Sequence, residues 1–180
     1  MASDEATIRI WTIANDGAIA LHQRTGAAVT QIALGGWTIA YDPSLPRLLH
    51  QLRDQKLPDE TGGVLLGIAD LRKRTIHLVT ALGQPSDSTG TTHGFERGTE
   101  GLMEAMQKVA HSSLHQLRYV GEWHSHPRNN SALPSSTDIQ QIAWLRRELV
   151  VEGLPAFMVI AADGGERSFI LSEPQDGSST

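Results

Sequence analysis

Two histidines separated by one residue lie at the end of a strand-like run, and they constrain the fold more than any other feature of the chain. The run covers 118–126, and side chains two positions apart on a strand point to the same face, so His124 and His126 would face one side. Pro127 then ends the strand, because proline has no N–H to donate to a neighbouring strand. The sequence therefore predicts a strand that carries two imidazoles on one face of a sheet.

Asp138 is the third candidate ligand, since it follows a loop and can fold back onto the face of the two histidines. Two neutral imidazoles and one carboxylate are a common catalytic zinc set that leaves a fourth position for water. A simpler interpretation is also open. A lone His-x-His pair is more often two half-exposed strand residues, and Ser135-x-x-Asp138 before an apolar run is a helix-capping pattern. The two interpretations are compatible, because a helix N-terminus can hold a ligand carboxylate rigidly.

The full spacing of these residues resembles the signature of the JAMM metallopeptidases, the JAB/MPN-plus family. That signature is His-x-His-Pro, seven further residues, then Ser-x-x-Asp, and here it runs from His124 to Asp138. The family also places a glutamate at the head of a Gly-rich and Leu-rich strand, and segment 60–67, Glu-Thr-Gly-Gly-Val-Leu-Leu-Gly, looks like that element. Two separated segments thus agree with the family pattern, and the resemblance spans about 46–170.

The resemblance implies a role for each residue of these motifs. His124, His126 and Asp138 would bind zinc, and Glu60 would be the general base that takes a proton from water and passes it to the leaving amine. Ser135 would donate a hydrogen bond to the developing oxyanion. The roles of Glu60 and Ser135 come from the family alone. Judged only from the residues beside it in the sequence, Glu60 would instead be a solvent-exposed residue that precedes a strand.

The resemblance also implies an activity and partners. JAMM enzymes commonly hydrolyse the amide that joins the C-terminal tail of a ubiquitin-like protein to a target amine. Segments 60–67 and 121–127 look most like compact bacterial deubiquitinase-like isopeptidases, which occur beside activating-enzyme and conjugating-enzyme homologues in antiphage defence operons. The expected partner is a ubiquitin-like protein or its conjugate. Two alternatives stay open: a peptidase that trims a ubiquitin-like or sulfur-carrier precursor, and a non-catalytic MPN scaffold, which predicts missing ligands.

Several residues near the motifs have open roles. Glu122 shares the strand parity of the histidines and either orients an imidazole or is exposed, whereas Trp123 and Ser125 point to the opposite face. His111 and His115 are four apart on an expected helix and form either a surface pair or a shared metal site. Other side chains of open role are His93, which lies in a polar loop, and Trp144.

Composition excludes several functional classes. The 180 residues are enough for one domain, and the net charge of −5 gives no electrostatic case for nucleic acid and argues against a DNA-repair relative of the fold. The absence of cysteine excludes disulfides, thiolate metal sites and cysteine nucleophiles. No apolar run approaches the length of a membrane span, and residues 1–5 are acidic. The expectation is a cytoplasmic protein without a membrane partner.

The apolar periodicity predicts an α+β fold, and the resemblance implies a mixed curved β-sheet flanked by helices, of the JAB/MPN, cytidine-deaminase-like type. We expect a single JAB/MPN domain over 1–173 with an N-terminal strand extension, and a disordered tail over 174–180. Residues 84–98 are expected to form a polar loop, either a mobile wall for an extended substrate tail or a disordered connector. Helices are expected over 46–55, 98–114 and from about 136, and strands over 7–13, 18–23, 29–34, 37–41, 62–68, 75–82, 119–126, 156–162 and 168–171.

Overall fold

The computed structural model describes residues 6–13, 16–26 and 29–173. Within these ranges the chain forms three α-helices: α1 (Ser44–Asp54), α2 (Leu102–Ser112) and α3 (Ser136–Leu149). The strands are β1 (Ala6–Ile13), β2 (Ile19–Gly26), β3 (Thr30–Leu34), β4 (Trp37–Tyr41), β5 (Gly62–Asp70), β6 (Thr75–Ala81), β7 (Thr89–Thr91), β8 (Gly94–Glu96), β9 (Arg118–Ser125), β10 (Ala156–Ala161) and β11 (Arg167–Ser172).

Seven strands form one mixed sheet in the order β11-β10-β9-β5-β6-β4-β3, which confirms the predicted α+β class. The β9/β10 and β4/β6 pairs are parallel, and the other neighbouring pairs are antiparallel. Two register shifts near Leu66 bend β5, so the sheet is curved. Because β9 lies between β10 and β5, the candidate ligands are near the middle of the sheet. The β1/β2 and β7/β8 pairs form separate hairpins.

Strand β10 is buried on both faces and separates two apolar layers. Phe157 and Val159 pack in the layer that contains Leu45 and Leu49 of α1. Met158 and Ile160 point the opposite way, as expected for a strand, into a second layer formed with α3. The α3 residues of that layer are Ile142, Leu145 and Leu149. Helix α3 therefore covers one face of the sheet, and α1 covers the other.

The expected elements are all present, although their ends are shifted. Strand β9 ends at Ser125, so His126 lies one residue beyond the strand that was expected to contain it. Three further local differences occur. The helix expected over 98–114 begins only at Leu102, because Gly101 has a left-handed φ of 70°. It ends at Ser112, and His115 has a φ of 60°, so the expectation that His111 and His115 share a helix is wrong. The loop expected over 84–98 contains the β7/β8 hairpin.

Two expectations reach beyond the described residues. The two N-terminal strands pair antiparallel from Ala6↔Gly26 to Ile13↔Ile19, but part of the turn between them, residues 14–15, lies outside the described residues. The tail expected over 174–180 also lies outside them.

Candidate metal centre

The register of β9 directs His124 toward α3. Glu122 and His124 are opposite Met158 and Ile160 of β10, and these two apolar residues belong to the layer beneath α3. Trp123 has the opposite parity and packs in the α1 layer with 1% of its surface exposed, as predicted. Ser125 is fully buried and its Oγ accepts a hydrogen bond from the Thr61 N–H at 3.1 Å, which is a structural role.

Asp138 reaches the histidines from the N-terminus of α3. The Ser135 N–H donates to Asp138 Oδ2 at 2.7 Å, and the Asp138 N–H donates to Ser135 Oγ at 3.2 Å, so the two residues form a capping box. Asp138 Oδ1 lies 3.1 Å from His124 Nε2, and Oδ2 lies 3.5 Å from His126 Nε2. The capping interpretation of the sequence is therefore confirmed, and the same carboxylate also faces the two imidazoles.

The Nε2 atom of each imidazole faces the Asp138 carboxylate. His126 Nδ1 lies 2.6 Å from the Ser131 carbonyl oxygen, and a carbonyl can only accept, so Nδ1 carries a proton and Nε2 holds the lone pair when the imidazole is neutral. His124 Nε2 is buried and, among the described residues, has no hydrogen-bond partner, because its short approach to Asp138 lacks hydrogen-bond geometry.

The donor set fits a divalent metal ion. One ligand atom from each of His124, His126 and Asp138 lies within 4.8 Å of the others, and all three residues are buried. An orphaned buried nitrogen costs free energy unless something binds it. Two imidazoles and a carboxylate suit zinc and several other divalent ions. His111 and His115 belong to no such group of three among the described residues.

Electrostatics favour an ionised carboxylate at this centre. Burial alone would raise the pKa of Asp138, but the adjacent His124 and His126 outweigh it, and the pKa falls well below its usual range. Asp138 in turn raises the pKa of His126. A bound cation would take the place of this electrostatic interaction between the Asp138 carboxylate and the His126 imidazole.

Glu60 lies in the same cleft as the three candidate ligands. Strand β5 starts opposite the histidines, with Gly62 paired to His124, and the Ser125 N–H donates to the Thr61 carbonyl at 2.7 Å. Glu60 precedes this pairing, and its backbone N–H donates to the Thr91 carbonyl at 2.8 Å. Burial raises the pKa of its half-buried carboxyl.

The cleft is a cavity of about 250 Å³. Its first wall is formed by β9 and the start of α3, and its second wall by the turn and second strand of the β7/β8 hairpin. His93, whose position relative to the cleft could not be told from the sequence, lies in this second wall. The lining residues are Glu60, Thr92, His93, Gly94, Phe95, His124, His126, Asn130, Ser135, Thr137, Asp138 and Gln141.

Phe95 lies unusually close to β5 because position 62 has no side chain. A Cβ on Gly62 would lie 2.7 Å from the Phe95 ring and 2.5 Å from the Trp123 carbonyl oxygen. The carbonyl belongs to the backbone of the neighbouring strand and cannot give way, so only glycine fits. The hairpin can therefore close one side of the cleft with an aromatic ring.

Glu122 has neither of the roles considered from the sequence. It is buried, and it contacts Arg97 and Gln141 rather than an imidazole. Arg97 and Gln141 lie outside β9, and no local pattern in the sequence signals them; Tyr119, on β9 itself, also interacts with this carboxylate.

Arg53 is a second residue that sequence reasoning missed. It lies on α1 with 3% of its surface exposed, and its Nε donates to the His126 carbonyl oxygen at 2.9 Å. Its Nη2 donates to Asp163 Oδ1 at 2.6 Å, and Asp163 Oδ2 accepts from the Asn129 N–H at 2.6 Å. The guanidinium thus fixes the backbone after β9 from the side opposite the cleft. The available signal was spacing, because Arg53 follows Leu45 and Leu49 at four-residue intervals on the apolar face of α1.

Comparisons with known proteins bear on the family to which the chain is similar. A family model described as prokaryotic homologs of the JAB domain matches residues 42–172. A protein named CD-NTase/cGAS isopeptidase, from Enterobacter hormaechei subsp. hoffmannii (strain UCI 50), is 32% identical over 114 residues. The match covers 63% of this chain and 61% of that protein, so the chain spans less than two thirds of its relative's length.

Among solved structures, the solution structure of protein DSY2949 from Desulfitobacterium hafniense superposes with a TM-score of 0.45 and 17% identity. The superposition covers 74% of this chain and 83% of the other.

Across the described ranges, no helix combines the length and apolarity that a membrane span requires.

Proposed function

Because the chain belongs to the family of prokaryotic JAB-domain homologues, we propose that it is a zinc-dependent isopeptidase that releases the C-terminal tail of a ubiquitin-like protein from a target amine. The observation that carries this proposal is the cluster of His124, His126 and Asp138, whose buried ligand atoms lie within 4.8 Å of one another in a cleft that also holds Glu60. The relative named as an isopeptidase supports an amide conjugate as the substrate class.

Each of these residues of the cleft would have a separate role in amide hydrolysis. A bound zinc ion would supply a water whose pKa is lowered to roughly 7. Glu60 would accept the proton of the attacking water and deliver it to the leaving amine, and the raised pKa of its carboxyl brings its basicity closer to neutral pH. Ser135 would donate a hydrogen bond to the oxyanion that forms on the scissile carbonyl.

The substrate tail would run between the two walls of the cleft. The Cβ position of Gly94 in the second wall meets open space, so an extended peptide can approach the hairpin there. Backbone pairing along such an edge gives affinity without demanding large side chains. We propose a ubiquitin-like conjugate in an antiphage defence setting, with activating-enzyme and conjugating-enzyme homologues as associated proteins.

Precursor processing is the alternative for the same residues, since only the leaving group differs. A non-catalytic scaffold is less well supported, because each position of the ligand and base pattern is filled, by Glu60, His124, His126, Ser135 and Asp138. The isopeptidase and processing activities are separated by one comparison: cleavage of a tail joined to a lysine side chain against cleavage of the same tail extended by further residues.

Glu60→Gln tests the proposed base. We expect it to abolish hydrolysis of an isopeptide-linked tail while zinc content, measured by elemental analysis, stays that of the wild type. The reason is that Glu60 moves protons and coordinates nothing. Wild-type turnover in Glu60→Gln would show that the base is assigned wrongly.

Two further variants serve as controls for this experiment. His124→Ala/His126→Ala should lose both the metal and the activity. Glu104→Gln, which removes an exposed carboxylate from α2, should change neither. Equal and low zinc content in the wild type and the double variant would refute the metal centre itself.

A further inference from the structure

The buried carboxylate of Glu122 joins the two walls of the cleft. Its Oε1 accepts a hydrogen bond from Arg97 Nη2 at 2.9 Å, and its Oε2 accepts one from Gln141 Nε2 at 2.8 Å. Glu122 itself is on β9, two residues before His124. The Glu122 side chain on β9 therefore connects Arg97 to Gln141, which lie in two other parts of the chain.

Each partner of Glu122 belongs to a different wall. Arg97 directly follows β8, whose Gly94 and Phe95 line the cleft, so it ends the second wall. Gln141 lies on α3 three residues after Asp138, and it lines the first wall. Two hydrogen bonds to one carboxylate thus link the walls, in addition to the hydrogen bond from the Glu60 N–H to the Thr91 carbonyl.

The environment makes these contacts strong. The side chain of Glu122 is 6% exposed and that of Arg97 is 23% exposed, so water screens their ion pair only in part. Hydrogen bonds between charged groups are about twice as strong as those between neutral groups. A buried ion pair is also poorly replaceable by a single substitution, because either partner left alone is a charge without compensation.

We infer that Glu122 is a positioning residue, which through Arg97 and Gln141 holds the cleft hairpin (β7–β8, Thr89–Glu96) at a fixed distance from the metal-bearing elements. This inference rests on the proposed function for its effect on substrate binding, but its effect on the hairpin is independent of any activity. Loss of the tie should loosen the second wall while the ligands His124, His126 and Asp138 stay in place.

The test separates the tie from general stability. Arg97→Met alone should be destabilised, because Glu122 then keeps a buried charge without its cation. The double variant Arg97→Met/Glu122→Gln removes both charges, and the amide introduced at position 122 can bond to Gln141 as a neutral pair, so the melting temperature should recover. The hydrogen bond from Arg97 to position 122 is nevertheless lost in the double variant, so the hairpin should be held less firmly than in the wild type.

Hydrogen exchange and kinetics are the two readouts. In the double variant, amides of 89–96 should exchange about tenfold faster than in the wild type, with zinc content unchanged. On a fluorogenic peptide of small residues joined through its C-terminus to a lysine side-chain amine, KM should rise about tenfold and kcat should change much less. Glu122→Gln alone can keep both hydrogen bonds and should give intermediate exchange.

Lys73→Met is the matched control, since it removes one cation from an exposed ion pair with Asp70 in the β5/β6 hairpin. It should leave the exchange of 89–96 unchanged. Wild-type exchange of 89–96 in both Glu122→Gln and the double variant would overturn the inference. If the wild type fails to cleave the peptide, the proposed function is contradicted, whereas the exchange rates still decide whether Glu122 ties the hairpin.

Discussion

Ser135 uses its hydroxyl oxygen to cap α3, which leaves its hydroxyl hydrogen available to the cleft. The oxygen accepts from the Asp138 N–H, and the side chain lines the cavity beside the candidate ligands. A serine can fill both roles because a hydroxyl donates one hydrogen bond and accepts others. The same residue therefore contributes to helix stability and is placed to contact a reacting carbonyl.

Ser135→Gly separates the two contributions. Glycine is tolerated at a helix N-cap, so the free energy of unfolding should fall by only a few tenths of a kcal/mol. The loss of a donor to the oxyanion should lower kcat roughly 10²–10³-fold. Urea unfolding and steady-state kinetics measure the two effects. Ser135→Thr, which keeps the hydroxyl, should retain most of both, and an unchanged kcat in Ser135→Gly would restrict Ser135 to capping.

At the scale of elements, the β7/β8 hairpin is held at its base by a group of side-chain-to-backbone hydrogen bonds. Asp87 accepts from the backbone N–H groups of Thr99 at 3.0 Å and Glu100 at 2.9 Å, and Ser88 Oγ accepts from the Gly98 N–H at 2.9 Å. These bonds bring the two ends of the segment together. The segment expected from its composition to lack structure is therefore ordered by small polar side chains bonding to backbone.

Asp87→Asn should make the stability of the protein less dependent on pH. Hydrogen bonds from the Thr99 and Glu100 N–H groups lower the pKa of Asp87 from its ordinary value of 3.8. A carboxyl with a depressed folded pKa stabilises the fold above its unfolded pKa, and this contribution is lost as the pH falls through the folded pKa. The wild type should thus unfold at higher urea than Asp87→Asn at pH 7, and the gap should shrink toward pH 3. A gap that stays constant over this range would contradict the assignment.

For the whole molecule, the sequence predicts what depends on neighbouring residues. Alternation of apolar and polar residues locates the strands, and the His-x-His parity places His124 and His126 on one face. The position of Glu60 could not be predicted from such local patterns. It depends on the pairing of Gly62 with His124, which the packing of the whole sheet determines.

Residues buried by distant partners are the other part that local patterns miss. Glu122 bonds to side chains 25 and 19 positions away, and Arg53 bonds to the backbone of His126, 73 positions away. A strand period assigns Glu122 to a face, but it carries no information about which cation reaches that face. Only the assembled fold shows that Arg97 does.

Metal binding should stabilise the folded chain as a whole. An ion that binds the native state alone adds roughly 4 kcal/mol of stability at a free concentration 1,000 times its Kd. We therefore expect zinc to raise the melting temperature of the chelator-treated protein by several degrees, measured by calorimetry. His124→Ala/His126→Ala should show no such rise. An equal rise in both proteins would indicate that zinc binds elsewhere.

The close contact between Gly62 and Phe95 limits how the cleft can diversify. Position 62 admits no side chain, because both a strand carbonyl and an aromatic ring occupy the space that a Cβ requires. Position 95 is within a short hairpin strand, where smaller or differently shaped side chains leave the main sheet intact. In a randomised library, substrate preference would therefore be selected by mutation at position 95, whereas position 62 would return glycine in every functional clone.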